Sequence, residues 1–264
     1  MKNNTNEMFY QLVALLLSVI IVHTVYVTLV RPNAESEVRH AAEVAAAGEQ
    51  YVVPRSFFVV IKDFEQEACF VLMFWALAIM GYKARVTWRE KAMLDMPLIS
   101  ISEGSRILPD DAAQLSRPLQ SLPEEQQSYL LPRALQTALA RFQVTSSVQS
   151  ATEAVGTVCE SEDNRLDSEL SMVRYITWAI PSIGFIGTVR GIGAALGQAH
   201  EAMEGNIAGV TASLGVAFNS TFIALLISMV VMFFIHQLQL IQERLVLDTY
   251  SYCENRLLRF LKSE

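Results

Sequence analysis

The sequence is poor in charged residues and has no basic excess. Only 18% of its 264 residues are charged, against about 25% in an average soluble domain. Its formal net charge of −7 argues against a nucleic-acid partner, because such proteins present a basic surface to the phosphates. The low charge leaves two classes: a very apolar soluble protein, or a membrane protein with soluble extensions.

Cysteine and histidine are also scarce. The three cysteines, Cys69, Cys159 and Cys253, lie far apart and form no Cys-x-x-Cys pair, and the four histidines are scattered. This spacing gives neither a disulfide framework nor a zinc signature. We therefore expect reduced thiols, no metal site and no cofactor.

Long runs without charge are what the sequence has in abundance. A helix needs roughly 20 apolar residues to cross about 30 Å of hydrocarbon. The first run is longer than the apolar region of a signal peptide, so we expect a span that is retained. We predict four transmembrane helices, at residues 8–30, 68–84, 175–197 and 209–236.

The distribution of lysine and arginine predicts how these spans are oriented. Four basic residues between Lys83 and Lys91 directly follow the second span, which marks the cytoplasmic side. The loop at residues 198–208 contains no lysine or arginine and is therefore predicted to be external. Both termini are then cytoplasmic. The predicted fold is an all-α membrane protein with an external segment (31–67), a long cytoplasmic helical extension between spans two and three (85–174) and a cytoplasmic tail helix (237–264).

The segments outside the spans carry helical patterns of their own. An alanine-rich piece at Ser36–Gly48 predicts a helix, and Phe57–Ile61 is a short apolar run suited to the membrane interface. Prolines between residues 95 and 132 predict irregular chain with short helices. From Arg133 an apolar repeat predicts helix that continues into span three. We assign Leu135, Leu139 and Phe142 to one apolar face, Val144, Val148, Ala151 and Val155 to another, and the charges from Glu160 to Glu169 to a solvated face.

Span three is unusual because it contains a proline and closely spaced glycines. Pro181 cannot donate a backbone hydrogen bond, which frees the carbonyl of Thr177 and predicts a kink. The pairs Gly187-xxx-Gly191 and Gly193-xxx-Gly197 allow a neighbouring helix backbone to approach closely. Span four presents a matching stripe of small residues: Ser213, Ala217, Ser220 or Thr221, Ala224 and Ser228.

Two threonines in these spans are predicted to lie at the same depth. Thr188 follows Tyr175 by 13 residues, or about 20 Å of helix. Thr221 precedes Ile235 by 14 residues, or about 21 Å. Their hydroxyls could line a narrow polar path, or each could bond back to the carbonyl four residues earlier in its own helix.

Two further polar residues need partners in this region. Arg190 costs about 2–3 kcal/mol within a span unless it is paired or reaches the interface. Its candidate partners are Glu201 and Glu204 in the external loop, or an anionic group on another protein. Asn219 lies roughly 200° around the helix from Thr221, so we expect it to make an interhelical hydrogen bond rather than to share a pore.

At these residues the chain resembles the MotA/TolQ/ExbB family, the channel subunits of ion-driven membrane motors. Pro181-Ser-Ile-Gly-Phe-Ile-Gly-Thr-Val-Arg-Gly-Ile is similar to the family pattern P-xx-G-xx-GTV-x-GI. Ala217-Phe-Asn-Ser-Thr-Phe-Ile-Ala-Leu is similar to its AL-xx-T-xxGL segment. The resemblance covers about residues 165–245, with both motifs in the right order on consecutive spans.

The resemblance implies a channel or stator subunit, not an enzyme, of a motor in the bacterial inner membrane driven by H+ or Na+. It places Thr188 and Thr221 on the family's two pore threonines, and we add Ser220 to this ion pathway. The residues expected to shape the pore by helix packing are Pro181, Gly184, Gly187, Gly191, Ala217 and Ala224. Arg190 and Asn219 are candidate contacts to a partner.

The resemblance also implies partners and an assembly. Members form a homopentamer in membrane lipid around two copies of a single-span partner of the MotB/TolR/ExbD type, which supplies the membrane aspartate. The four predicted spans here contain no Asp or Glu, which fits that division of roles.

Several positions depart from the family pattern and leave the driven process open. Val216 stands where TolQ- and ExbB-like members have glutamate, Ala224 replaces a glycine, and Arg190 replaces a position that is often apolar. Four spans are the number in MotA. The alternative function is a non-conducting membrane scaffold that uses the same packing faces. A transporter is less favoured, because broken and duplicated spans with an acidic site are not seen.

Overall fold

The computed structural model describes residues 2–46, 56–99, 106–205 and 207–262, and these residues are helical with no strand. The α-helices in this part of the chain are α1 (Lys2–Val25), α2 (Arg31–Ala46), α3 (Phe57–Ile61), α4 (Phe64–Lys91), α5 (Ala112–Gln120), α6 (Glu124–Gln127), α7 (Leu130–Thr145), α8 (Val148–Glu169), α9 (Ser171–Gly197), α10 (Ala199–Met203) and α11 (Ala208–Arg256). A π-helical turn, Tyr26–Val30, joins α1 to α2, and 3₁₀ turns occupy Ala92–Asp95, Pro109–Asp111 and Leu258–Phe260. Gly48, the predicted end of the alanine-rich helix, lies outside the described residues.

Four helical stretches in the described chain are long and apolar enough to cross a membrane. They are Glu7–Ala41, Phe64–Asp95, Val148–Gly197 and Ala208–Phe260. The predicted all-α class with four membrane-spanning helices is therefore confirmed at that level.

Helix α4 is longer than the span predicted at residues 68–84. Its first turn holds Glu65 and Glu67, and its last turn holds Arg89 and Lys91. Acidic residues at a helix N-terminus and basic residues at its C-terminus interact favourably with the helix dipole. These charges end the uncharged run in the sequence without ending the helix, so the helix extends beyond the predicted span at both ends.

The chain divides into two compact units. The first comprises Met1–Met80 and Met172–Ile235. Within it, Trp75 Nε1 on α4 donates to the carbonyl of Gln11 on α1 at 2.9 Å. Many large apolar side chains of this unit face outward; Trp178 is 80% exposed and Phe9 69% exposed. Such a surface suits lipid or another subunit rather than water.

The second unit comprises Gly81–Ser171 and His236–Glu264 and has its own apolar core. Its largest fully buried side chains include Leu119, Leu135, Leu139 and Phe142. Helices α7 and α8 pack against each other, joined by a turn in which Ser146 takes a left-handed conformation (φ 52°). Ser147 then caps α8, its hydroxyl accepting from the Ser150 backbone N–H at 3.3 Å.

One prediction for this segment is wrong, and another, that most of the charges from Glu160 to Glu169 are solvated, has an exception. Val144 does not share a face with Val148, because the helix breaks between them and Val144 is 84% exposed. Glu162 is not part of a solvated face: it is 1% exposed and accepts from Arg133 Nη1 at 3.2 Å and from Arg165 Nε at 3.1 Å. A buried carboxylate needs such partners, and the sequence spacing of the charges alone does not reveal them.

Candidate functional site

The site is built where α9 and α11 touch through small residues. Glycines of α9 lie directly against α11 of the same chain, and the pairs are Gly184 with Ala224, Gly187 with Ser220 and Gly191 with Ala217. A Cβ atom on Gly191 would lie 2.6 Å from the backbone nitrogen of Ala217. Only glycine permits that approach.

The second predicted glycine pair behaves differently. A Cβ atom on Gly193 or Gly197 would meet no other atom within 4 Å. The close contacts of α9 are therefore made by Gly184, Gly187 and Gly191, within this chain. Sequence spacing could not distinguish the two pairs, because both have the same Gly-xxx-Gly pattern.

The two threonines meet at this helix crossing. The hydroxyl oxygens of Thr188 and Thr221 are in direct hydrogen-bond contact. Thr188 Oγ1 also donates to the carbonyl of Ala217 at 3.0 Å, and Thr221 Oγ1 donates to the carbonyl of Gly184 at 3.1 Å. Gly184 and Ala217 each lie four residues before the threonine of their own helix. Each hydroxyl therefore donates to the carbonyl that was expected to bind the hydroxyl of the opposite helix. The sequence did not indicate this crossed arrangement.

The crossed arrangement has more acceptors than hydrogens. Each threonine hydroxyl carries one hydrogen and two lone pairs. Four contacts share two hydrogens: Thr188 to Thr221, Thr188 to Ala217 O, Thr221 to Gly184 O and, at 3.4 Å, Thr188 to Gly184 O of its own helix. These four contacts cannot all be hydrogen bonds at the same moment. Both side chains are half-buried, so the pair can exchange hydrogen bonds with a polar group that approaches it.

Pro181 lies within α9, and a residue of α11 compensates for its missing N–H. The carbonyl of Thr177, four residues earlier, accepts a hydrogen bond from Ser228 Oγ at 3.2 Å. Ser228 is buried. A side chain of the neighbouring helix thus binds the carbonyl that proline frees. This hydrogen bond joins α9 and α11 on the N-terminal side of Thr188 in α9.

Arg190 is paired within the chain. Its guanidinium donates twice to Glu65 at the start of α4, from Nε to Oε1 at 2.7 Å and from Nη2 to Oε2 at 2.8 Å. The predicted partners Glu201 and Glu204 are wrong; Glu204 lies 3.6 Å from His200 Nε2 instead. A bidentate carboxylate offsets the cost of Arg190. The sequence clue was the acidic alternation Asp63-x-Glu65-x-Glu67 directly before the uncharged run.

The two remaining predicted residues lie beside the threonines. Ser220 is 1% exposed, and its hydroxyl makes no hydrogen bond within the described residues. Asn219 is half-buried and its side chain makes no hydrogen bond in the same part of the chain. The interhelical hydrogen bond expected of Asn219 is therefore not formed among the residues that the structure describes. No group of His, Cys, Asp and Glu that could hold a metal ion occurs among the described residues.

The comparison with known proteins bears on the helices that carry this site. Residues 124–250 match the MotA/TolQ/ExbB proton channel family. The resemblance seen in the two motifs is confirmed, and the matched range is longer than the one expected from them. It contains α9, the Thr188–Thr221 contact and most of α11. No curated protein and no solved structure shows a significant match to the chain.

The family match supports a membrane channel subunit of the motor-stator type. Members of the MotA/TolQ/ExbB family are channel or transport subunits rather than enzymes, and they work with partner membrane proteins in a channel complex.

Proposed function

We propose that this chain is the channel subunit of a motor in the bacterial inner membrane, driven by the flow of H+ or Na+. A homopentamer would surround a single-span partner of the MotB/TolR/ExbD type. The partner would carry the membrane aspartate, and this chain would supply the path along which that aspartate is loaded and emptied. The observation that carries the proposal is the Thr188–Thr221 contact at the crossing of α9 and α11, within the range that matches the family.

The distribution of charge supports the proposed topology. Lys83, Arg85, Arg89 and Lys91 follow the second span, which favours a cytoplasmic location for residues 85–174. The second compact unit consists of nearly the same residues together with the tail, as expected for one cytoplasmic domain. Residues 31–67 and 198–208 would then be external, and both termini cytoplasmic.

The chemistry of the threonine pair suits a path for a cation. Hydroxyl oxygens can accept hydrogen bonds from a protonated group or coordinate a cation, and they carry no charge of their own that would trap it. Both threonine side chains are half-buried rather than fully buried at the crossing, so a group from a partner helix could reach them. Carbonyl oxygens of Gly184 and Ala217 lie within reach of the same hydroxyls and add two more acceptors.

The mechanism requires a carboxylate that is charged in one step and neutral in the next. A cation from the outside would reach the partner's aspartate near the threonines. Neutralising that carboxylate lowers the cost of moving it past an apolar wall. Release of the cation to the cytoplasm restores the charge. Two partner helices cannot contact all five identical subunits in the same way. Each cycle would therefore advance the ring by one step relative to the partner helices.

The test is to remove the hydroxyls while keeping the side-chain volume. We expect Thr188→Val with Thr221→Val to lower ion flux and motor output by about tenfold or more in cells that carry the native partner. Thr177→Val is the matched control, because the Thr177 hydroxyl is buried on the same helix and bonds only the carbonyl of Val173, at 2.9 Å. Unchanged flux in the double variant would contradict the proposal.

The same experiment separates the channel from its rival, a non-conducting scaffold. A scaffold would need the glycine and serine faces for packing but not the hydroxyl pair. Normal assembly with the partner together with unchanged output in the valine variant would favour the scaffold. Normal assembly with lost flux would favour the channel.

A further inference from the structure

Three buried oxygens in the first unit make no hydrogen bond within the described residues. They are Tyr26 Oη, Asp63 Oδ2 and Ser220 Oγ. Tyr26 is 2% exposed and Ser220 1% exposed. Buried polar atoms without a partner are rare, because each costs about 1–3 kcal/mol. All three belong to the first compact unit, where a small polar ligand such as water would satisfy them.

Each of the three residues adjoins the first turn of α4 or a residue that contacts it. Ser220 Oγ and Glu65 Cγ approach the same point, the position of a Cβ on Gly187, at 2.6 and 3.2 Å. Arg190 holds Glu65 and brings Nη2 to 3.9 Å from Asp63 Oδ1. One turn away, His23 and Arg31 bind Glu67; His23 Nδ1 lies 2.7 Å from its Oε1. Tyr26 lies beside Arg31, whose guanidinium carbon is 5.8 Å from the ring centroid.

Asp63 differs from its two acidic neighbours. Glu65 and Glu67 each make hydrogen-bonded ion pairs. Asp63 makes no side-chain hydrogen bond within the described residues, and its ion pair with Arg190 Nη2 is long, at 3.9 Å. Its side chain is 15% exposed, although Oδ2 is fully buried. The carboxyl is thus reachable from outside while one of its oxygens is buried without a partner.

Charged groups act on Asp63 from several neighbouring elements. Lys62 and Glu65 lie beside it in sequence, Arg190 faces it from α9, and Arg31 faces it from α2. Burial is the largest effect and raises the pKa of Asp63 above its ordinary value of 3.8, and Glu65 adds to it. Lys62, Arg190 and Arg31 act in the opposite direction but do not reverse it. The neutral, protonated form of Asp63 is therefore favoured to a higher pH than in a solvated aspartate.

We propose that Asp63 is a proton-binding residue at the outer mouth of the ion path, positioned by the Arg190–Glu65 pair. This inference rests on the proposed function and adds a loading step to it. An external hydronium ion would transfer its proton to a carboxylate oxygen of Asp63, forming an O–H bond and leaving water. That bond breaks when the proton moves inward through water bound at Ser220, toward the threonines and the partner's carboxylate.

The first test measures protonation directly. Infrared titration of the purified chain in lipid should show a protonated carboxyl that persists to higher pH than an ordinary aspartate. This signal should disappear in Asp63→Asn and remain in Asp163→Asn, a control at an exposed position of the second unit. A signal that is absent from the wild type, or unchanged in Asp63→Asn, would overturn the proposal.

The second test asks whether the proton that Asp63 binds is one that moves through the ion path. In cells with the native partner, Asp63→Asn should lower H+ flux several-fold and remove the dependence of flux on external pH, and Asp63→Glu should restore both in part. A purely structural role would lower flux without changing its pH profile, and that result would overturn the proposal. If the wild type itself carries no flux, the proposed function fails, and the infrared titration still decides whether Asp63 binds a proton.

Discussion

Single hydroxyl groups satisfy backbone carbonyls where α9 and α11 touch. Thr188 and Thr221 each bind a carbonyl of the opposite helix, and Ser228 binds the carbonyl that Pro181 leaves free. The sequence was sufficient to locate the freed carbonyl at Thr177, because proline removes a known hydrogen bond. It could not indicate which residue would fill it, since that depends on the register between the two helices.

The Ser228 hydrogen bond yields a prediction at this scale. Ser228→Ala should lower the free energy of unfolding by about 1 kcal/mol, because it leaves a buried carbonyl unpaired. In a Pro181→Ala background the loss should be much smaller, since an alanine at that position can donate its own N–H to the carbonyl of Thr177. Detergent unfolding of the four proteins gives the coupling between the two positions. Equal losses in both backgrounds would show that Ser228 does not serve the proline site.

The counter-ion of Arg190 is a residue that the sequence could not identify. The need for a counter-ion was evident from the cost of a charge in an apolar span. Its identity was not, because Glu65 is 125 positions away in the chain and lay in a segment predicted to be external. Only the packing of α4 against α9 brings the two together.

At the scale of helices, α9 has one face made for contact with α11 and another that is open. Gly184, Gly187 and Gly191 occupy the first, and Gly193 and Gly197 lie outside it. The sequence predicted tight packing from the density of small residues. Choosing between equivalent Gly-xxx-Gly pairs requires the rotation of α9 about its axis, which the apolar pattern does not determine because both faces are apolar.

This difference between faces can be measured with one methyl group. Gly191→Ala should destabilise the protein by about 1–3 kcal/mol, because the added carbon meets the backbone of Ala217 and Ser213. Gly193→Ala, two residues away on the same helix, should be neutral or stabilising by up to about 1 kcal/mol, since alanine favours helix over glycine. The comparison is made by detergent unfolding. Equal effects at the two positions would contradict the close contact between α9 and α11 at Gly191.

At the scale of the whole molecule, the uncharged runs and the two motifs carried most of the information. They predicted an all-α chain with four membrane-capable helices and the family resemblance, all of which are confirmed. They did not indicate that α4 continues past the uncharged run into charged residues, or that Glu162 is buried by tertiary contacts. Burial depends on neighbours distant in sequence, and periodicity within one helix does not report them.

The proposed function requires the hydroxyls of Thr188 and Thr221, rather than the shape of their side chains, to line the ion path. It is tested most directly by comparing ion flux through Thr188→Ser with Thr221→Ser and through the corresponding valine pair. Serine keeps the hydroxyl and loses the methyl, whereas valine keeps the volume and loses the hydroxyl.

We predict that the serine pair retains most of the wild-type flux. The valine pair should lose about tenfold or more, the change expected when roughly 1.4 kcal/mol of stabilisation is removed from the rate-limiting state. Equal flux through the two pairs, or higher flux through the valine pair, would contradict the account.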